Sequence, residues 1–247
     1  MEKIPESHPR YESLMQRHRI EAGVEQGLTS RQGLIAQGRG EAFDYLLGEQ
    51  TIPSADTAER VAAAHLLDAD HAALSVNGNV AALVPEALVT LAETTGADLA
   101  VNLFNRTEQR VAAIADHLRE HGANSIKGET ADARIPGLEH ERAKVDADGI
   151  YDADVVLVPL EDGDRAEALG EMGKTELVVD LNPMSRSAEV AAVPIVDNVV
   201  RALPNITAHA RELREPDTDL DTVVAEFDPD DARAAAEQQI RRAELDD

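Results

Sequence analysis

The chain has 247 residues, 48 acidic against 23 basic, a formal net charge of −25, no cysteine and only 2% aromatic residues. Such a surface repels the phosphates of nucleic acids and anionic membranes, and it offers no stacking platform for bases. Without cysteine there are no disulfides, thiolate zinc sites, iron–sulfur clusters or cysteine nucleophiles.

The acidic residues run from end to end, and Lys3, Lys127, Lys144 and Lys174 are the only lysines. This reads as adaptation to molar salt, where charges are screened over about 3 Å, and so as the cytosolic protein of an extreme halophile. A disordered acidic chain is the rival reading, but periodic apolar segments across residues 55–215 argue against it. No apolar run reaches the roughly 18–20 residues of a membrane span. The N-terminus MEKIPESHPRYES has no signal-peptide apolar stretch, so the expected location is cytoplasmic.

Residues 9–26 predict a helix, with Tyr11, Leu14, Met15 and Ala22 on one side and Arg10 and Arg17 on another. In Gly27–Glu49 the C-terminal half is helical, opened by Gly38-Arg39-Gly40-Glu41, whose glycines suit a loop closing on an anion. Ser54 is placed to cap a helix running to about Leu67. A strand is expected at 72–76. A helix follows from Asn79 to Thr95, restarted at Pro85 and stopped by Gly96. Next come a strand at 98–104 and a helix capped by Thr107 that ends near His121. Then a weak strand at 125–129, a long loop over 130–152, a strand at 153–158 and a short helix ending at Met172 are expected. Strands at 175–181 and 194–197 precede a helix from Asn198, interrupted at Pro204.

Six strands alternating with helices imply an α/β fold: a Rossmann-like, mostly parallel sheet with helices on both faces and an N-terminal helical segment. The expected division is a helical segment over 1–70 packed on the core, the Rossmann-like core over 71–215, and an acidic helical tail over 216–247.

In such sheets ligands bind beyond the carboxyl ends of the strands. The first such end is SVNGN, with Asn77, Gly78 and Asn79. A dinucleotide fingerprint needs glycine where this chain has Asn77 and Asn79. Asn105-Arg106-Thr107 after the second strand would serve as a 2′-phosphate grip, which makes an NADP-dependent oxidoreductase the alternative reading. The plainer view of Asn77–Asn79 is a turn. DLNPMSRS (180–187) collects a carboxylate, an amide, two hydroxyls and a guanidinium; its plainer reading is an Asn-Pro turn with capping serines. Glu161-Asp162-Gly163-Asp164 offers oxygen ligands for Mg2+, but the favoured reading is a plain acidic loop in an acidic protein.

Seven stretches, IPESHPRYESL, GLIAQGRGEAFDYLLGE, SVNGNVAALVPE, RIPGLEHERAKVD, DADVVLVPLEDGDR, DLNPMSRSA and VDNVVRA, together resemble one family. It is the archaeal 4-phosphopantoate–β-alanine ligase, or phosphopantothenate synthetase, family. The resemblance covers about residues 1–215, and the acidic tail departs from it. It implies an ATP-dependent ligase of coenzyme A biosynthesis that joins (R)-4-phosphopantoate to β-alanine. The products would be 4′-phosphopantothenate, AMP and pyrophosphate, formed through an acyl adenylate, with Mg2+ and in a homodimer. Carried over by motif, the ATP contacts fall on Arg17, Arg39, Asp180, Leu181, Asn182, Arg186, Ser187, Asn198 and Val199. Arg39 and Arg186 are the expected catalytic residues, and no metal ligand is assigned. Asn77, Gly78 and Asn79 then form a turn shaped for a smaller ligand, with amides for the phosphate or carboxylate of phosphopantoate. The charge balance agrees in one respect. Two anionic substrates need local positive charge against a net −25, and Arg17, Arg39 and Arg186 carry forks that lysine lacks.

Unscreened repulsion among the 48 acidic side chains destabilises the compact state at low ionic strength. Thermal melts from low to molar KCl are expected to show a large rise in midpoint; a flat midpoint contradicts salt adaptation.

Overall fold

The runs AALSV, VVLVP and TELVV are apolar along nearly their whole length, and such runs form strands where a sheet is covered on both sides. The computed structural model describes residues 4–159, 163–216 and 218–242. Its strands are β1 (Ala72–Val76), β2 (Asp98–Val101), β3 (Ile126–Lys127), β4 (Ala133–Arg134), β5 (Lys144–Val145), β6 (Val155–Pro159), β7 (Thr175–Val179) and β8 (Val193–Ile195). Six of them form one parallel sheet in the order β3-β2-β1-β6-β7-β8, while β4 and β5 make a separate antiparallel ribbon. The strand order reverses between β1 and β6, which is where a doubly wound sheet opens a crevice.

The helices are α1 (Tyr11–Glu25), α2 (Arg31–Leu47), α3 (Pro53–Asp68), α4 (Gly78–Leu83), α5 (Pro85–Thr95), α6 (Glu108–Glu120), α7 (Gly163–Glu171), α8 (Arg186–Val190), α9 (Val199–Leu213), α10 (Leu220–Ala225) and α11 (Pro229–Arg242). Strand side chains alternate between two cores. Leu74, Val76, Leu157, Leu177 and Val179 pack with α3, α5 and α9 residues such as Ala62, Leu88 and Ile206. Ala73, Val156, Val158 and Val178 face the other way, onto Leu169 of α7 and Ile135, Val145 and Ile150 of the segment around the ribbon. The sheet is thus covered on both faces, as its sequence demands. Among the described residues no helix is long and apolar enough to cross a membrane.

Several local expectations need correction. Gly38–Glu41 is not a loop opening a helix; it lies in the middle of α2. Helix α3 begins at Pro53, with Ile52 rather than Ser54 at its N-cap, because proline fits the first helical position. The strand expected to reach Phe104 stops at Val101. Beyond it the Asn102 amide donates to the carbonyls of Arg142 (3.0 Å) and Lys144 (3.2 Å). The segment 130–152 is not a bare loop but holds the ribbon, a 3-10 turn and a π-type turn. Its anchor is Asp146, whose carboxylate accepts the backbone N–H groups of Gly128 and Ala131. Helix α9 runs through Pro204 without a break. Pro204 lies on the exposed side, where water can satisfy the carbonyl that loses its partner.

The tail folds back as α10 and α11. Ala236 of α11 is fully buried with Leu47, Ile52, Leu181 and Val196.

A polar network locks α1, α2, α3 and α9 beside the end of β8. Buried Asp197 accepts from the Thr51 hydroxyl (2.6 Å) and from Arg201 Nε (2.9 Å), and Arg201 also reaches Asp44. Glu59 on α3 is fully buried and accepts from the Asn205 amide at 2.9 Å. Burial, and after it the Asp197 charge, push the Glu59 carboxyl up to about 9. Its folded pKa therefore lies above the ordinary value of about 4.3. The stability it supports is complete below that ordinary value and is lost as pH rises toward the folded pKa. Glu59→Gln keeps the neutral shape and removes the loss. Its Tm is expected above wild type at pH 8, with the gap closing toward pH 4.5; a lower Tm at pH 8 contradicts a neutral Glu59.

Candidate functional site

The turn after β1 is built by its own asparagines. Asn77 caps α4, its Oδ1 accepting from Asn79 N (3.0 Å) and Val80 N (3.1 Å), while its amide donates to the Pro159 carbonyl (2.8 Å) at the end of β6. The buried Asn79 amide donates to the Gly33 carbonyl at 3.0 Å, and its Oδ1 accepts from the Thr29 hydroxyl. Between them, a Cβ on Gly78 would lie 2.2 Å from the Leu28 carbonyl oxygen. The segment 28–33 is therefore held directly against the mouth of the sheet, and α2 follows it across the strand ends.

The end of β7 is a chain of side-chain-to-backbone bonds. Asp180 accepts from Asn182 N at 3.0 Å and from the Ser185 hydroxyl at 2.6 Å. Asn182 Oδ1 accepts from Met184 N, and Ser185 caps α8. Burial raises the Asp180 pKa, opposed by the Ser185 and Asn182 hydrogen bonds and by the charge of Arg39. Arg186 donates to Glu167 (2.7 Å) and Asp164 (2.6 Å) of α7.

These pieces line one cleft of about 720 Å3 over the strand ends. It gathers Arg39, Asn77, Gly78, Asn79, Asp180, Leu181, Asn182, Arg186 and Ser187 from the expected site. It does not gather Arg17, Asn198 or Val199. Arg17 binds Glu41 of α2 at 2.6 and 2.8 Å and lines a separate groove with Arg10, Leu34 and Tyr45. Asn198 is buried as the cap of α9 and donates to Gln16 (3.0 Å) and Asp44 (2.7 Å); Val199 is buried behind it.

The cleft also holds residues to which the sequence reading gave no role, Thr29, Gln32, Phe104, Arg110, His140 and Arg142, together with Asn105, read there only as part of a 2′-phosphate grip. Two signals pointed there. LFNRT follows a strand, and Arg142 sits in the motif RIPGLEHERAKVD.

For a hard cation the cleft offers the carboxylates of Asp164 and Asp180. Glu161 and Asp162 lie outside the described residues. Asp56, Glu59 and His209 bring ligand-type atoms within 4.8 Å of one another, but away from the cleft, and a neutral Glu59 is a poor ligand.

The oxidoreductase alternative finds no support. The backbone face that a pyrophosphate would approach at Gly78 is filled by Leu28 and Thr29. Arg106 points one guanidinium nitrogen at the Gly128 carbonyl at 2.7 Å and does not line the cleft.

Comparison with known proteins places the chain in a family. Residues 54–243 match the family model described as phosphopantothenate/pantothenate synthetase. The match runs through α10 and α11, which corrects the expectation that the tail departs from the family. The 4-phosphopantoate–β-alanine ligase of Thermococcus onnurineus is 55% identical over 230 residues, 92% of this chain and 88% of that protein. The enzyme of the same name from Thermococcus kodakarensis is 56% identical with the same coverage. That of Methanosarcina mazei is 55% identical over 215 residues, 87% of this chain and 85% of the other.

The close approach at Gly78 has a measurable consequence. Gly78→Ala is expected to lower Tm by about 3–10 °C, the effect of overpacking in a chain of this size. Gly38→Ala, a helical position where a Cβ meets nothing within 4 Å, should leave Tm unchanged or slightly higher. Equal melting of the two variants contradicts the packed turn.

Proposed function

The chain belongs to the phosphopantothenate/pantothenate synthetase family, and on that premise we propose that it joins 4-phosphopantoate to β-alanine. It is an ATP-dependent ligase forming a carbon–nitrogen bond between an acid and an amine, and its product, 4′-phosphopantothenate, belongs to coenzyme A biosynthesis. The observation that carries the reading is one cleft in which the Asp180–Ser187 loop, Arg39 and the Asn77–Asn79 turn meet.

A carboxylate resists attack by an amine because oxide is a poor leaving group. In the proposed route a carboxylate oxygen of 4-phosphopantoate attacks the α-phosphorus of ATP. That O–P bond forms as the bond to pyrophosphate breaks. The β-alanine amine then attacks the acyl carbon, loses a proton and expels AMP. Arg39 meets the phosphates directly and stabilises charge growing on them. Arg186 starts out paired with Asp164 and Glu167, so its engagement with phosphate exchanges one anion for another at modest desolvation cost. Asp180, fixed by Asn182 N and the Ser185 hydroxyl, shapes the loop that presents backbone N–H groups to the nucleotide. Asp164 and Asp180 would hold Mg2+, which when bound offsets the charge of the departing pyrophosphate.

A homodimer is part of this reading. Leu34, Ile35 and Tyr45 on α2 are 39%, 75% and 53% exposed, and Leu34 and Tyr45 line a groove of about 810 Å3 that includes Arg17. A second copy seated there puts Arg17 at the interface instead of in its own chain's cleft. The acidic composition supports a salt-adapted enzyme of the cytoplasm.

With ATP, Mg2+, 4-phosphopantoate and β-alanine, AMP and pyrophosphate are expected in equal amounts. Arg39→Ala is expected to slow their release about 100-fold or more. ADP with phosphate contradicts the adenylate route, and an Arg39→Ala enzyme near wild-type rate removes Arg39 from the site.

A further inference from the structure

The order of the sheet sets the two ends of the cleft apart. The Asp180–Ser187 loop leaves β7, Asn105 follows β2, and β6 and β1 lie between them. At about 4.8 Å per strand that is a separation of roughly 14 Å. The residues expected to hold ATP phosphates gather at the β7 end. A second anionic substrate needs its own cation elsewhere, and the β2 end carries Arg110 and the buried Arg142.

Arg110 differs from the carboxylate-paired arginines of this acidic chain. Arg10 and Arg17 pair with Glu41, Arg119 with Asp116 and Glu129, Arg186 with Asp164 and Glu167, and Arg201 with Asp44 and Asp197. Arg110 instead donates to two backbone carbonyls, Asn105 at 2.6 Å and Leu28 at 3.1 Å. Those carbonyls orient the fork without cancelling its charge. Its Nε is buried and has no acceptor among the described residues. Burial pushes its pKa down, and among the described residues no acidic group pulls it back up. It also stands in the first turn of α6, where a cation adds to the positive end of the helix dipole. A half-buried guanidinium, oriented by carbonyls and without a carboxylate partner among the described residues, is well matched to a phosphate. The amides of Asn77 and Asn79 are meanwhile engaged with Pro159 and Gly33.

We propose that Arg110 recognises the 4-phosphate of the acid substrate at the β2 end of the cleft and so selects the phosphorylated acid over the free hydroxy acid. This rests on the ligase reading given above. With the phosphate there, the carboxylate at the other end of the carbon skeleton points across the Asn77–Asn79 turn toward β7, where the α-phosphate of ATP would lie.

The test is steady-state kinetics with 4-phosphopantoate and with unphosphorylated pantoate, for wild type, Arg110→Gln and Arg110→Lys. Arg110→Gln is expected to raise KM for 4-phosphopantoate about 10- to 100-fold and to erase most of the preference over pantoate, with KM for ATP within about twofold. Arg110→Lys, which keeps the charge and loses the fork, should fall between; it also serves if the glutamine variant does not fold. A KM for 4-phosphopantoate near wild type in either folded variant overturns the proposal. So does a parallel rise in KM for ATP and for pantoate, which marks a structural role only. If wild type itself forms no 4′-phosphopantothenate with ATP and both substrates present, the ligase reading fails, and that outcome is distinct from either of these.

Discussion

One backbone approach organises this molecule: Gly78, just past β1, lies against the Leu28 carbonyl with no room for a side chain. Asn79 secures the approach from the side by bonding Thr29 and Gly33. Together they bring the N-terminal helices onto the point where strand order reverses. The crevice of a doubly wound sheet is normally open there to a dinucleotide. Here the chain's own 28–33 segment occupies that face, and what is left is a shorter cleft bounded by α2 on one side and the β7 and β2 loops at its ends. A strand-to-helix turn that resembles a damaged dinucleotide motif is thus a packing device that excludes the dinucleotide.

The second organising constraint is charge. A net −25 opposes every anionic ligand, so phosphate binding depends on how individual guanidiniums are partnered. Most of those with carboxylate partners are tied into the helical scaffold, as Arg201 is between Asp44 and Asp197. Arg186 is partnered but half-exposed at the rim, where its partners can be exchanged. Arg110 is oriented by carbonyls alone. Local cationic character survives because neutralisation is selective, and the sheet places its remnants at separate ends of the cleft.

The sequence conveyed the strands and caps well. Two-sided burial leaves continuous apolar runs at β1, β6 and β7, and Thr107 and Asn198 cap the helices they precede. It misread Gly38–Glu41, because glycine lowers helix propensity locally while α2 is stabilised by tertiary contact; Gly33 lets it approach Asn79 and Thr29. The fold of 130–152 was not legible, since it depends on Asp146 and Asn102 bonding backbone groups that no local periodicity reveals. Within the site, DLNPMSRS stood out because its residues are adjacent in the chain. Arg110 did not: in sequence it is one more charged residue on an amphipathic helix. Its place in the cleft comes from Leu28, 82 positions away.

The division of the cleft is tested most directly by a crystal structure of the enzyme with a non-hydrolysable ATP analogue and 4-phosphopantoate. The nucleotide phosphates are expected against Asp180–Ser187 and Arg39, and the 4-phosphate against Arg110. Density for the 4-phosphate at the Asp180–Ser187 loop, or nucleotide phosphates on Arg110, would contradict it.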